Sequence, residues 1–147
     1  MGELHYVQGD LLTSCANILV IPVNCVGVAG RGLALQCKQV CPPWFRLYRE
    51  ACASGLLVPG RPVLHLVGKR HVLSFPTKGH WRHPSELSMI EVGLQSLLSC
   101  FGPWRVSDRV MALPKLGCGA GGLAWEEVQP VIERSLSQLA CTVLVYV

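Results

Sequence analysis

Apolar runs of strand length alternate with helix-length segments from one end of the sequence to the other, and no other feature constrains the fold as much. "LHYVQGD", "NILVIPVN", "RPVLHLVG", "RHVLSF", "RVMAL" and "CTVLVYV" read as strands, the third and fourth joined by a tight Gly-Lys-Arg turn. Between them, "LALQCKQV" is helical and is stopped by Pro42-Pro43. "WFRLYREACASG" is opened by Pro43, with Gly55 as its expected C-cap. "PSELSMIEVGLQSLLSCFG" puts Leu87, Ile90, Leu94, Leu97, Leu98 and Phe101 on one face, with Ser85 as its expected N-cap. "AWEEVQPVIERSLSQL" is the last helix. The alternation predicts an α/β sandwich, a largely parallel sheet covered by helices on both faces. With 147 residues and no repeat or linker, residues 1–147 read as one domain.

Composition narrows the function classes. Half the residues are hydrophobic and 15% are charged, which excludes a disordered chain. The longest apolar stretch, "CANILVIPVNCVGVAG", is broken by Asn17, Pro22 and Asn24, so no membrane span is expected. No secretory signal is visible at the N-terminus. Most of the eight cysteines sit in apolar patterns, where a reduced thiol acts as a small hydrophobe. A cytoplasmic, monomeric protein is the expectation. The formal charge of +4 leans toward an anionic partner without identifying one.

Two glycine-rich loops each follow an apolar strand and precede a helix: "GVAGRG" (27–32) and "GCGAGG" (117–122). Glycines admit a ligand close to the backbone, and a helix N-terminus supplies N–H groups and a positive dipole end, so a phosphate or diphosphate is the natural guest. The second loop matches G-x-G-x-x-G. However, only 25 residues follow it, and the region about twenty residues on has no acidic residue for a ribose, so it is not a Rossmann fingerprint. Neither loop ends in Gly-Lys-Ser/Thr, which excludes a Walker loop. A third segment, "FPTKGHWRH" (75–83), gathers Lys78, His80, Trp81, Arg82 and His83 where a strand ends. Either it is a solvated basic loop, or Lys78 is an active-site group.

Taken in order, "VQGDLL", "VIPVNCVGVAGRGLALQ", "FPTKGHWRHPSELSMIEVGL" and "LPKLGCGAGGLAWEEVQPVIE" resemble the macrodomain family over essentially the whole chain. The similarity is greatest to antitoxin macrodomains of the DarG type, which remove ADP-ribose from thymidine bases in DNA. The sequence is also similar to the terminal ADP-ribose protein glycohydrolases. The resemblance implies a three-layer α/β/α sandwich with a mixed, largely parallel sheet and a cleft for ADP-ribose. It implies that Asp10 accepts from the adenine amino group, with the backbone of Leu11 beside it. Gly30, Gly32 and Leu33 of the first loop would enclose the diphosphate and distal ribose. So would Gly117, Cys118, Gly119, Ala120, Gly121, Gly122 and Leu123 of the second. Asn24 would touch the distal ribose hydroxyls as a catalytic group, Thr77 would join the binding set, and Lys78 would be the catalytic lysine. A cognate DNA ADP-ribosyltransferase toxin is the implied partner, and no metal or cofactor is called for. The protein-directed group pairs its lysine with a loop aspartate where this chain has Gly121, a departure that favours the DNA-directed branch.

Cleaving an N-glycosidic bond needs stabilisation of an oxocarbenium-like centre, help for the leaving base and a route for water. No carboxylate pair stands near either loop. A lysine can serve if its amine is neutral enough to attack C1 or form a Schiff base, or, still charged, it can donate a proton to the departing base. The residues leave both roles open. Burial, with Arg82, His80 or His83 nearby, would lower its pKa. His80, Trp81 and Arg82 suit single-stranded DNA by stacking and charge, and Arg31, Lys38, Arg46 and Arg49 could extend a basic path. Rival readings are an ADP-ribose-binding reader, a hydrolase of ADP-ribosyl-glutamate or O-acyl-ADP-ribose, a Cys118 nucleophile, and a Cys37–Cys41–His80–His83 zinc site.

Overall fold

The computed structural model describes residues 3–104 and 109–147. Its sheet comprises β1 (Leu4–Val7), β2 (Ile18–Val23), β3 (Val63–Val67), β4 (Arg70–Pro76), β5 (Val110–Pro114) and β6 (Thr142–Tyr146), in the order β1-β6-β5-β2-β4-β3. Only β3 runs antiparallel to its neighbour, turning back into β4 through Gly68 at φ 64°. The helices are α1 (Gly32–Val40), α2 (Pro42–Ala53), α3 (Leu87–Trp104) and α4 (Trp125–Leu136). Gly55, expected as a C-cap, lies one residue past the capping Ser54 and takes φ 79°, the usual place for a glycine after a helix. Phe101, expected on the apolar face of α3, lies outside the described side chains. No described helix is long and apolar enough to cross a membrane.

Side-chain alternation along the central strands divides the interior into two cores. Ile18 and Val20 of β2 face Ile90 and Leu94 of α3 and Val128 and Ile132 of α4. Leu19, Ile21 and Val23 face the other way, onto Cys37 of α1 and Trp44 and Tyr48 of α2. These strands are apolar throughout because both faces are covered, the signature of a parallel sheet between helical layers. The predicted sandwich is therefore the observed one.

Two local features shape the region where the site lies. Val23 accepts from Thr77 N–H and Cys25 donates to Gly79, so alternate residues of β2 bond toward β4, and Pro22 faces β5 with no N–H to give. Pairing of β2 with β5 accordingly stops at Leu19↔Ala112, whereas pairing with β4 runs on to Val23↔Pro76. The strands part at their carboxyl ends, the usual place for a ligand in such a sheet. The second feature is Gly93, inside α3, where a Cβ would stand 2.6 Å from the Phe75 ring. A mid-helix glycine costs about 1 kcal/mol, which full burial of a phenylalanine, worth roughly 1.5–3 kcal/mol, offsets. The close approach seats α3 on β4 just ahead of Lys78.

Candidate active site

The first glycine loop is organised by one side chain. Asn24 follows the last residue of β2 and is buried. Its Oδ1 accepts from the N–H groups of Val26 (3.0 Å), Gly27 (3.1 Å) and Val28 (3.4 Å), while Nδ2 donates to the Val28 carbonyl (2.8 Å). The Tyr48 hydroxyl donates into the same corner, 2.8 Å from Asn24 Oδ1 and 2.9 Å from its carbonyl oxygen. Burial keeps the Tyr48 phenol well above its ordinary pKa, and hence a donor. Asn24 thus builds the loop, and only its second amide N–H is left for a ribose hydroxyl. Beyond it, Arg31 occupies the N-cap of α1 with no side-chain cap, leaving the first N–H groups of that helix to a ligand.

The second loop is held by backbone. Leu123 N–H bonds Gly117 carbonyl (2.9 Å), and Ser85 N–H bonds Gly121 carbonyl (2.9 Å). Ser85 Oγ donates to Thr77 Oγ1 (3.2 Å), and the Thr77 carbonyl accepts from Glu86 N–H (3.1 Å). Ser85, expected to cap α3, instead ties the lysine segment to the second loop. A Cβ on Gly121 would collide with Ser85 Oγ and stand 2.5 Å from the Gly117 carbonyl oxygen, so no side chain fits there. Gly119 has nothing within 4 Å of its Cβ position and faces open space.

The loops and the parted strand ends enclose a cavity of about 620 Å³, within the usual size range for ligand sites. Asn24, Gly30, Gly32, Leu33, Thr77, Lys78 and Trp81 line it, as do Gly117, Gly119, Ala120 and Gly121. Its walls also include Arg31, from the loop expected to enclose the diphosphate, and Ser85, Lys115 and Tyr146, which were not among the expected site residues. Three cations and no carboxylate line the described walls. Lys78 is half-buried, and burial first, then the nearby Arg31, holds its amine below the ordinary lysine pKa. The depressing charge therefore comes from the first glycine loop, where Arg82, His80 or His83 was expected. Trp81 stands exposed at the rim, with the Arg82 guanidinium 4.7 Å from its ring centre and His80 stacked at 5.3 Å.

Several expected site residues lie outside these walls. Asp10 is exposed and caps the 3₁₀ turn Leu11–Thr13 by accepting from Leu12 N–H at 3.0 Å, which leaves its other oxygen free; Leu11 is buried. They follow β1, whose Val7 pairs with the cavity-lining Tyr146. Cys118, Gly122, Leu123, His80 and Arg82 are not among the lining residues. Burial raises the Cys118 thiol against the pull of Lys115, so the thiolate expected at a helix N-terminus is disfavoured. Among the described residues, no three of His, Cys, Asp or Glu gather to hold an ion.

The Macro domain family model matches residues 20–132. The DNA ADP-ribosyl glycohydrolase of Thermus aquaticus is 42% identical over 140 residues, covering 92% of this chain and 38% of that protein. The protein of the same name from Mycobacterium tuberculosis is 41% identical, covering 92% of this chain and 39% of that protein. The chain thus spans about two fifths of the length of these curated relatives. Among solved structures, the macrodomain of Thermus aquaticus DarG superposes with a TM-score of 0.91 at 40% identity, covering 100% of this chain and 99% of that one. Thermosipho africanus DarTG in complex with ADP-ribose gives a TM-score of 0.93 at 34% identity, covering 99% of this chain and 42% of that chain.

Proposed function

The chain belongs to the macrodomain family, and from that premise we propose that it is a DNA ADP-ribosyl glycohydrolase. In this reading it removes ADP-ribose from thymidine in single-stranded DNA, in the cytoplasm and opposite a DNA ADP-ribosyltransferase. The observation that carries the proposal is Lys78, in the wall of a cavity that has three cations and no carboxylate among its described lining residues. The diphosphate sits on the free N–H groups of α1 beside Arg31, with Lys115 facing it from the second loop. The adenine reaches toward the free oxygen of Asp10, and the distal ribose lies between the loops next to Lys78. The absence of room at Gly121 supports DNA over ADP-ribosyl-glutamate, because an aspartate cannot enter that position while Ser85 stays in place.

Hydrolysis breaks the bond between ribose C1 and the base nitrogen; water supplies hydroxide to C1 and a proton to the base. A neutral Lys78 amine attacks C1 and is later displaced by water, and the lowered pKa favours this role. A charged Lys78 would instead protonate the leaving base. Asn24 is a positioning residue, acting through the shape of the first loop.

The test is release of ADP-ribose from an oligonucleotide carrying ADP-ribosylated thymidine, beside an ADP-ribosyl-glutamate peptide. Lys78→Ala should lower release from DNA by at least about a thousandfold while ADP-ribose affinity stays within a few-fold. Equal rates for wild type and variant would refute the role of the lysine. Release from the peptide alone would move the protein to the protein-directed branch.

A further inference from the structure

Charge is segregated between the two helical layers. From Arg31 to Ala53 the chain carries Arg31, Lys38, Arg46 and Arg49 against Glu50 alone. The described part of the opposite layer carries Glu86, Glu91, Glu126, Glu127 and Glu133 against Arg134. On α2, Pro42, Phe45, Arg46, Arg49, Glu50 and Ala53 line a shallow groove of about 400 Å³. Lys38 Nζ lies 4.4 Å from the centre of the half-buried Phe45 ring and Arg49 Cζ 5.5 Å, so the ring holds two cations at the groove. No ion pair neutralises these four cations among the described residues. The groove adjoins the first glycine loop: the Arg49 stem lies 3.4 Å from where a Gly27 Cβ would stand, and Gly27 opens the loop that carries Arg31.

Resting on the DNA-directed reading above, we propose that the α2 groove is a second binding site, for the phosphodiester backbone of the strand whose modified base occupies the cavity. Arg31, Arg49, Lys38 and Arg46 make a path leading away from the mouth, suited to successive phosphates. Such contacts supply affinity without sequence preference and are weakened by salt. The Glu50 carboxylate keeps the path from being uniformly basic and faces one phosphate unfavourably.

The experiment compares ADP-ribose release from ADP-ribosylated thymidine monophosphate with release from a modified twelve-nucleotide strand. It uses wild type, the double variant Lys38→Gln/Arg46→Gln, and an Arg61→Gln control. Neither Lys38 nor Arg46 lines the cavity, so turnover of the mononucleotide should be unchanged. For the strand, kcat/KM should fall about tenfold in the double variant at low salt, with its salt dependence reduced by about 1.4 in log–log slope, two contacts at 0.7 each. Arg61→Gln should match wild type. An equal strand preference in wild type and double variant would overturn the proposal while leaving the DNA reading intact, as would no strand preference in wild type. No release from either DNA substrate by wild type would overturn the DNA reading, and the groove assignment with it.

Discussion

The two glycine loops look alike as sequence, each a glycine-dense turn between a strand and a helix, yet they are held by opposite means. The first is shaped by a side chain: Asn24 receives three loop N–H groups and Tyr48 braces it from α2. The second is shaped by the absence of side chains: Gly121 leaves Ser85 and the Gly117 carbonyl the space they occupy. Glycine density therefore marks a phosphate-type loop without saying what makes it rigid. The first loop should fail when a hydrogen-bond acceptor is removed, the second when volume is added.

The largest expected effect is in the first loop. Asn24→Ala strands three backbone donors and removes one acceptor of the buried Tyr48 hydroxyl, which keeps the Asn24 carbonyl. At roughly 1–3 kcal/mol per unsatisfied buried group, partly relieved by water, about 3–4 kcal/mol of stability should be lost in urea denaturation. Asn24→Asp keeps the acceptor and should recover more than half of that loss. ADP-ribose affinity should fall with it, because the loop presents the α1 N–H groups. Stability within 1 kcal/mol of wild type would show that the loop is held by something else.

The second loop separates fold from ligand at two glycines two residues apart. Gly121→Ala should cost about 2 kcal/mol, within the range for overpacking, because the Gly117 carbonyl and Ser85 must shift. Gly119→Glu should leave stability within about 0.5 kcal/mol, since the position is open. Its carboxylate would nevertheless meet the diphosphate, lowering ADP-ribose affinity by about 30-fold. Thermal denaturation and calorimetric titration of both variants check the pair. A reversal, with 121 tolerant and 119 destabilising, would invert the assignment of the loop.

What was legible in advance follows the same division. Strands buried on both faces and helices with clear start and stop residues were readable, because their periodicity is local, and so were the glycine loops. Pairings across the sheet were not. Ser85 has the residue type and position of an N-cap, but its partner is Thr77, eight residues back. Tyr146 joins the cavity only because β6 lies beside β5. Arg31 stands forty-seven positions before Lys78 and reaches it because β2 and β4 are neighbours. The nearer candidates, His80, Arg82 and His83, were the natural guess from sequence distance. Pro22 was visible as a break in a long apolar stretch, yet its effect of parting β2 from β5 depends on which side of the strand its missing N–H faces.

The smallest predicted effect tests whether the first loop contributes chemistry as well as shape. Arg31 is the second cause of the lowered Lys78 pKa, after burial. Arg31→Gln removes that charge and should move the lysine limb of the kcat/KM–pH profile to higher pH, by less than the displacement that burial alone maintains. The sign is the same for either role of the lysine. If the neutral amine attacks C1, activity rises through the Lys78 pKa and the rise comes later in the variant. If the charged amine protonates the base, activity falls through that pKa and the fall comes later. The slope of the wild-type limb thus assigns the role, and the variant identifies the perturbing charge. Added salt should move wild type in the same direction as the substitution and the variant hardly at all, because Arg31 is exposed and its field is screened. An unshifted limb in Arg31→Gln would mean that the lysine is tuned by burial alone, leaving the first loop a binding scaffold with no part in setting the reactivity of Lys78.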